Sequence, residues 1–233
     1  LNRSLDLEIR RIAACQPHRL AFLSAPQAAS FGLAGPTRLI PPGLDLARYP
    51  YNAHPGPALG WLGRIAPEKG LEDAFALADR TGATVMAFGV MQDRAYWDRL
   101  VRQHPTAAVR YGGFLRMPAL AEAVSQFRAL LMTPKWLEAF GLVGIEALAC
   151  GTPVIAYRRG GIAAYVDDGE TGWLAEPDDL DGLCAAVERI PSIERAACRA
   201  RVERSYTLAH YGAALADWLA ALTAEPNGTE EAV

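Results

Sequence analysis

Cysteine and histidine are scarce in this chain and badly placed for chemistry. The four thiols, Cys15, Cys150, Cys184 and Cys198, form no CxxC pair and no ligand-like spacing with His18, His54, His104 or His210. This excludes a zinc ribbon or a disulfide scaffold and predicts reduced, buried thiols in a cytosolic protein. Positive charge is not in excess either: 23 Lys and Arg stand against 26 Asp and Glu, a formal net charge of -3. A general polyanion binder needs a basic surplus, so nucleic acid is not an expected partner and any phosphate contact should be local. No apolar run approaches a membrane span, and the opening Leu1-Asn2-Arg3-Ser4 lacks a signal peptide's apolar core. No Gly-x-Gly-x-x-Gly follows any candidate strand, which disfavours a dinucleotide-dependent dehydrogenase. Internal repeats are absent. Methionine does not open the chain, and Leu5, Ile9 and Ile12 put the beginning in mid-helix, so it reads as a processed or truncated piece.

What is present is a globular composition, 51% hydrophobic and 21% charged with mean hydropathy near zero, enough for one good-sized core or two small ones. Short apolar runs alternate with helical stretches. Strands are expected at Leu59–Leu62, Thr84–Phe88, Ala107–Tyr111, Ala129–Thr133, Pro153–Ala156 and Gly172–Leu174. Between them fall helices over about Glu68–Asp79, Arg94–Gln103 and Pro118–Phe127, one opening near Phe140, and others from Leu180 on. Apolar strands separated by helices mean an α/β fold, a Rossmann-like parallel sheet with helices on both faces. Ligands of such sheets sit at the carboxyl ends of the strands. Residues 1–50 look like a separate unit, with strands at Leu20–Ser24 and Arg38–Ile40 flanking a helical or turn-like Pro26–Gly32, then a Pro- and Gly-rich connector. Residues 51–205 form the main α/β domain. Residues 206–233 carry a helix over Leu208–Leu222, with Tyr211, Leu215, Trp218 and Leu219 on one side, and a disordered tail after Ala224.

The segment from Pro134 to Val154 carries the most chemistry. A strand ends at Met132-Thr133, a loop presents Glu138, and a helix begins around Phe140–Gly141 with Glu146 between one and two turns in. Free N–H groups in that first turn make an anion site, with one carboxylate before it and one after. A carboxylate accepts two hydrogen bonds from a vicinal diol, so the layout suits a sugar, a diphosphate and a ribose in a row. Taken alone, the pair reads first as a surface Glu138 and a helix-solvating Glu146, since two glutamates eight apart mean little in isolation.

The surrounding residues resemble the E-x7-E block of glycosyltransferase family 4, retaining enzymes of the GT-B fold. Glu138-Ala139-Phe140-Gly141-Leu142 and Glu146-Ala147-Leu148-Ala149-Cys150-Gly151-Thr152-Pro153-Val154 follow that pattern almost continuously. Three further blocks come in the family's order: Ile40-Pro41-Pro42-Gly43-Leu44-Asp45, Gly63-Arg64-Ile65-Ala66-Pro67-Glu68-Lys69-Gly70, and Gly160-Gly161 through Asp168-Gly169-Glu170-Thr171-Gly172-Trp173-Leu174. The resemblance implies the donor-binding half of such an enzyme, with residues 1–50 a remnant of the acceptor domain plus the connector, and the last helix returning toward that domain.

It also implies a reaction: transfer of a hexose from a nucleotide diphosphate sugar, UDP favoured on family frequency, to an acceptor hydroxyl with retention. Arg64 and Lys69 would neutralise the diphosphate, Glu138 would bind the sugar's hydroxyls near C3 and C4, and Glu146 the ribose diol. Amides of Phe140, Gly141 and Leu142 would face the distal phosphate or the sugar, and Gly113, Phe114 and Leu115 are candidates for the nucleobase. No cofactor and no metal are expected, since two cations and a helix N-terminus take the metal's place. The acceptor is unassigned, the missing acceptor domain or a separate acceptor subunit is an expected partner, and peripheral membrane association of a fuller protein stays open. Glu68 is read as capping or solvating its helix start, Asp167-Asp168 as turn residues before Gly169, and Lys135 as a solvated lysine. Gly160-Gly161 opens a tight turn whose role is structural or functional. Two departures stand out: Ala164 replaces the family's usual Glu, and Lys135-Trp136 replace small or polar residues. Competing readings are a non-catalytic nucleotide-sugar-binding module, one subunit of a split transferase, and a nucleotide-sugar epimerase, against which the scattered histidines count.

Overall fold

The computed structural model describes residues 3–33 and 37–224; the expected disordered tail, from Glu225 on, lies outside the described residues. In chain order the elements are α1 (Arg3–Cys15), β1 (Ala21–Phe22), α2 (Ala25–Ser30), β2 (Arg38–Leu39), β3 (Leu59–Leu62), α3 (Leu71–Thr81), β4 (Val85–Phe88), α4 (Arg94–Gln103), β5 (Val109–Tyr111), α5 (Ala119–Ser125), β6 (Leu130–Met132), α6 (Leu142–Ala149), β7 (Val154–Tyr157), β8 (Gly172–Ala175), α7 (Leu180–Arg189), α8 (Arg195–Ser205) and α9 (Leu208–Ala224), joined in places by short 3-10 turns.

Strands β3 to β8 form a six-stranded sheet in the order β5-β4-β3-β6-β7-β8, every neighbour parallel. The chain builds outward from β3 to β5, returns to the other side of β3 with β6, and builds outward again. Helices cover both faces; α3 packs with α7 on one, and α6 with α5 and α8 on the other. Burial on both faces is why the strands read as continuous apolar runs, and all four residues of β7 are buried. Asp93 and Asp179 start α4 and α7 by accepting from the backbone N–H of Tyr96 and Gly182, as side chains at helix N-caps do.

The helix expected over about Glu68–Asp79 is broken at its beginning. Pro67–Lys69 form a 3-10 turn, Gly70 is left-handed at φ 68, and the α-helix starts only at Leu71. The physical reason lies across the sheet: the backbone at Gly70 packs so closely on Thr133 that a Cβ there would meet the Thr133 carbonyl oxygen at 1.8 Å, and the Thr133 hydroxyl donates to the Gly70 carbonyl at 2.7 Å.

The N-terminal segment has its own small cluster, Phe22, Ala28 and Phe31, around the parallel pair β1–β2. Its first strand is shorter than expected, because Ser24 leaves it to cap α2 by accepting from the Gln27 N–H. The connector is pinned where α8 meets α9: Leu44 N–H donates to the Tyr206 carbonyl and Leu208 N–H to the Leu44 carbonyl. On α9, the Trp218 indole donates to the His18 carbonyl at 2.8 Å. Among the described residues, no helix is long and apolar enough to cross a membrane.

Candidate functional site

In an open parallel sheet the strand order reverses at one place, and the crevice there is open to a ligand because the two connections leave in opposite directions. Here that place lies between β3 and β6, where Gly60 pairs with Leu130 and Trp61 with Leu131. The loops leaving these two strands carry Arg64 with Lys69 and Glu138 respectively.

Buried Trp61 donates its indole N–H to the Thr133 hydroxyl at 3.1 Å, and that hydroxyl in turn donates its O–H to the Gly70 carbonyl at 2.7 Å. The turn carrying Lys69 is thereby tied to the end of β6. Lys69 Nζ lies 2.8 Å from Glu138 Oε2, with side-chain exposures of 22% and 15%. Trp136 donates its indole N–H to the same oxygen at 3.0 Å, and the Lys69 ammonium sits 4.5 Å from the centre of the Trp136 ring. Trp61, Lys69, Thr133, Glu138 and Val143 line a small cavity of about 30 Å³.

The loop bearing Glu138 is clamped from several sides. Gly161 N–H donates to the Glu138 carbonyl at 2.8 Å, and buried Ser24 donates to the Ala139 carbonyl at 2.6 Å. Gly160-Gly161 therefore holds this loop directly. Arg159 donates to the Pro134 carbonyl at 3.1 Å. Lys135 is not the solvated lysine expected: it bonds Asp73 at 2.5 Å and Asp178 at 2.8 Å, while Tyr157 donates to Asp73 at 2.6 Å. Burial pulls the Lys135 ammonium down, but its bonds to Asp178 and Asp73 outweigh that and raise it.

Helix α6 starts from Gly141, whose carbonyl accepts the Tyr165 hydroxyl at 2.8 Å. Gly144 N–H donates back to the Gly141 carbonyl at 2.9 Å, and the amides of Leu142 and Val143 are the ones that a helix start leaves open to an anion. The Phe140 side chain is buried against Tyr165 and Tyr206, so only its backbone is available to a ligand; the Leu142 side chain is exposed. Arg64 is not paired with Glu138. It bonds Glu68 at 2.8 Å and Gln92, so Glu68 is Arg64's partner and not a helix cap.

Glu146 accepts the Tyr49 hydroxyl at 3.0 Å. Burial raises the Glu146 carboxyl above the ordinary carboxylate range, opposed by this hydrogen bond and by the Arg48 charge. Burial and the adjoining carboxylate push the Tyr49 phenol far above its ordinary value, so it remains a donor. Because the folded carboxyl holds its proton to higher pH than the unfolded one, stability falls as pH rises through that window. Tyr49→Phe removes a bond to the charged form and widens the window upward. The variant should therefore lose more stability at pH 8 than at pH 5 in urea unfolding; an equal loss at both would mean that the hydroxyl does not support the ionised form.

Beside the ion pair, Leu62, Phe88, Val90, Phe114, Leu115 and Leu120 line an apolar hollow of about 190 Å³, with Arg64 at its rim. Phe114 is 57% exposed. Gly113 does not line the hollow; its carbonyl accepts the Gly89 N–H at 2.9 Å. Phe88-Gly89-Val90 were missed as site residues in the sequence, although Phe88 ends an expected strand and Gly89-Val90 follow it at the sheet edge where ligands bind.

Asp167 and Asp168 do form the turn before Gly169, and each also pairs with an arginine, Arg201 and Arg158 at 2.7 Å. The Ala164 carbonyl accepts the Tyr206 hydroxyl at 2.8 Å. Cys150 and Cys198 are buried, with thiols pushed by burial up to about 12; contrary to expectation Cys15 is exposed and Cys184 half-buried. Among the described residues, no group of three or more His, Cys, Asp or Glu could hold a metal ion.

A family model described as glycosyl transferases group 1 matches residues 53–205. The chain is 35% identical over 196 residues to a glycogen synthase of Mycobacterium tuberculosis, a match covering 78% of this chain and 45% of that protein. It is 32% identical over 148 residues to a 2-deoxystreptamine N-acetyl-D-glucosaminyltransferase of Streptomyces fradiae, covering 60% of this chain and 35% of that one. The chain thus spans less than half the length of these curated relatives. Among solved structures, that of Anabaena HepE in complex with UDP-glucose is similar in fold, with a TM-score of 0.82 at 18% identity over 95% of this chain and 68% of that one. The chain belongs to the glycosyl transferases group 1 family.

Proposed function

We propose that this chain is the donor-binding half of a retaining glycosyltransferase that takes a hexose from a nucleoside diphosphate sugar, UDP-linked by preference. The observation that carries the reading is the 2.8 Å pair of Lys69 and Glu138 at the strand-order reversal, beside the start of α6. A cation for phosphate, a carboxylate for sugar hydroxyls and a helix N-terminus beside them match the needs of such a donor. The apolar hollow next to Arg64 has the character needed for a base. The uridine preference draws on HepE, whose structure holds UDP-glucose.

In this reading the donor exchanges partners with the protein. The diphosphate takes Lys69 from Glu138 and Arg64 from Glu68, and the freed Glu138 carboxylate accepts the sugar's hydroxyls. Glu146 takes the ribose diol in place of the Tyr49 hydroxyl. The bond from the anomeric carbon to the phosphate oxygen breaks while the acceptor oxygen attacks from the same face, and the departing phosphate oxygen takes the acceptor's proton. Lys69, Arg64 and the α6 amides stabilise the negative charge that gathers on the leaving diphosphate. The acceptor wall comes from a further domain or subunit.

Calorimetric titration with UDP, GDP, ADP and UDP-glucose tests the reading. Micromolar UDP binding, weakened about tenfold or more in Glu146→Ala and unchanged within twofold by EDTA, is expected. If none of the four binds, the donor-site reading falls; if EDTA abolishes binding, the cations and helix end do not replace a metal.

A further inference from the structure

Trp136 touches both charged members of the cleft. Its N–H and the Lys69 ammonium converge on a single oxygen, Glu138 Oε2, at 3.0 and 2.8 Å, while its ring faces the same ammonium. Two donors on one oxygen hold the carboxylate in one orientation and leave Oε1 to accept from a ligand. The backbone on either side is anchored, through the Pro134 carbonyl to Arg159 and through the Ala139 carbonyl to Ser24. Yet Trp136 is 43% exposed. A tryptophan placed for stability hides its ring in the core, as Trp61 does at 1% exposure. Trp136 leaves much of its ring in solvent and directs its polar end to the carboxylate at the cleft.

We propose that Trp136 is a positioning residue for the transferred sugar, holding the Glu138 carboxylate in the orientation that accepts the sugar's hydroxyls. The inference deepens the donor-site reading and rests on it. It separates the two halves of the donor: phosphates meet Lys69, whereas the sugar meets a carboxylate that Trp136 orients. Removing the indole N–H while keeping an aromatic ring under Lys69 should therefore weaken sugar-bearing donor and spare the bare nucleotide.

Trp136→Phe makes that change. Titrated with UDP and UDP-glucose, it should lose about tenfold in affinity for UDP-glucose, the scale of one charge-assisted hydrogen bond, and stay within twofold of wild type for UDP. Because Trp136 acts through Glu138, adding Trp136→Phe to Glu138→Ala should cost nothing further. An equal loss for both ligands, no loss for either, or a full additional loss in the double variant would overturn the proposal. A ligand-free measurement keeps the two readings apart. The indole N–H resonance that vanishes in Trp136→Phe should shift in Glu138→Ala, and an unmoved resonance would overturn the contact itself. Failure of wild type to bind any nucleotide, with that resonance shifting as expected, would instead count against the donor site.

Discussion

Lys69→Ala should weaken nucleoside diphosphate binding by about two orders of magnitude, read by calorimetry, with little change in the thermal midpoint. Lys69 is mostly buried at the strand-order reversal, and its ammonium is held by one carboxylate and one ring. A diphosphate brought there loses water on the side facing the sheet, and an ammonium is then its main compensation. Truncating one member of a desolvated charge pair costs about 2 to 5 kcal/mol, and roughly 3 kcal/mol is about a hundredfold. A second effect acts in the same direction: without Lys69, no cation stands between the Glu138 carboxylate and the incoming phosphate. Folding should suffer little, because the variant leaves Glu138 with the Trp136 hydrogen bond and partial access to water. An affinity within threefold of wild type would sink the assignment of Lys69 to the diphosphate.

The fold class was legible because it depends on local pattern. Runs such as Leu59–Leu62 and Val154–Tyr157 are apolar throughout, and only a strand covered on both faces tolerates that over so few residues. Strand order was not legible, since nothing local says that β6 returns beside β3. The break at Gly70 was hidden for a similar reason: a glycine inside a helical pattern is common, and the Thr133 hydroxyl that fixes it lies across the sheet.

Motif residues were legible as a set, but their partners were not. The motif blocks give Lys69 and Glu138 different parts of a donor to serve, and nothing in them announces that the two pair directly; Arg64 likewise faces Glu68 and Gln92. Tyr49, Ser24 and Trp136 reach the site through single side-chain bonds from distant or unpatterned segments, so no periodicity announces them. Lys135 looked solvated because Asp73 and Asp178 lie far along the chain on either side. Arg195 shows the same limit in the core. Its guanidinium is buried and donates to the carbonyls of Asn52, Ser125 and Phe127, a role that its charge in a sequence would not suggest.

Gly160→Ala should lower stability by about 2 to 4 kcal/mol in urea unfolding and weaken UDP-glucose binding as well, whereas Gly82→Ala should cost only about 1 kcal/mol. Both glycines are left-handed, with φ of 72 and 70. They differ in what an added methyl would meet. At Gly82 nothing lies within 4 Å, so alanine pays the conformational penalty alone. At Gly160 the methyl would stand 2.0 Å from the Glu138 carbonyl oxygen and 2.7 Å from its nitrogen. These are backbone atoms and cannot rotate aside, so the loop must move and loosen the bond from Gly161 N–H to the same carbonyl. The difference between the two variants measures what this contact is worth to the fold. Sugar affinity measures what it is worth to the site, because Glu138 can stay in register with Lys69 only while its backbone rests against Gly160. Equal costs in the two variants, with donor affinity intact, would mean that the glycine pair shapes only its own turn.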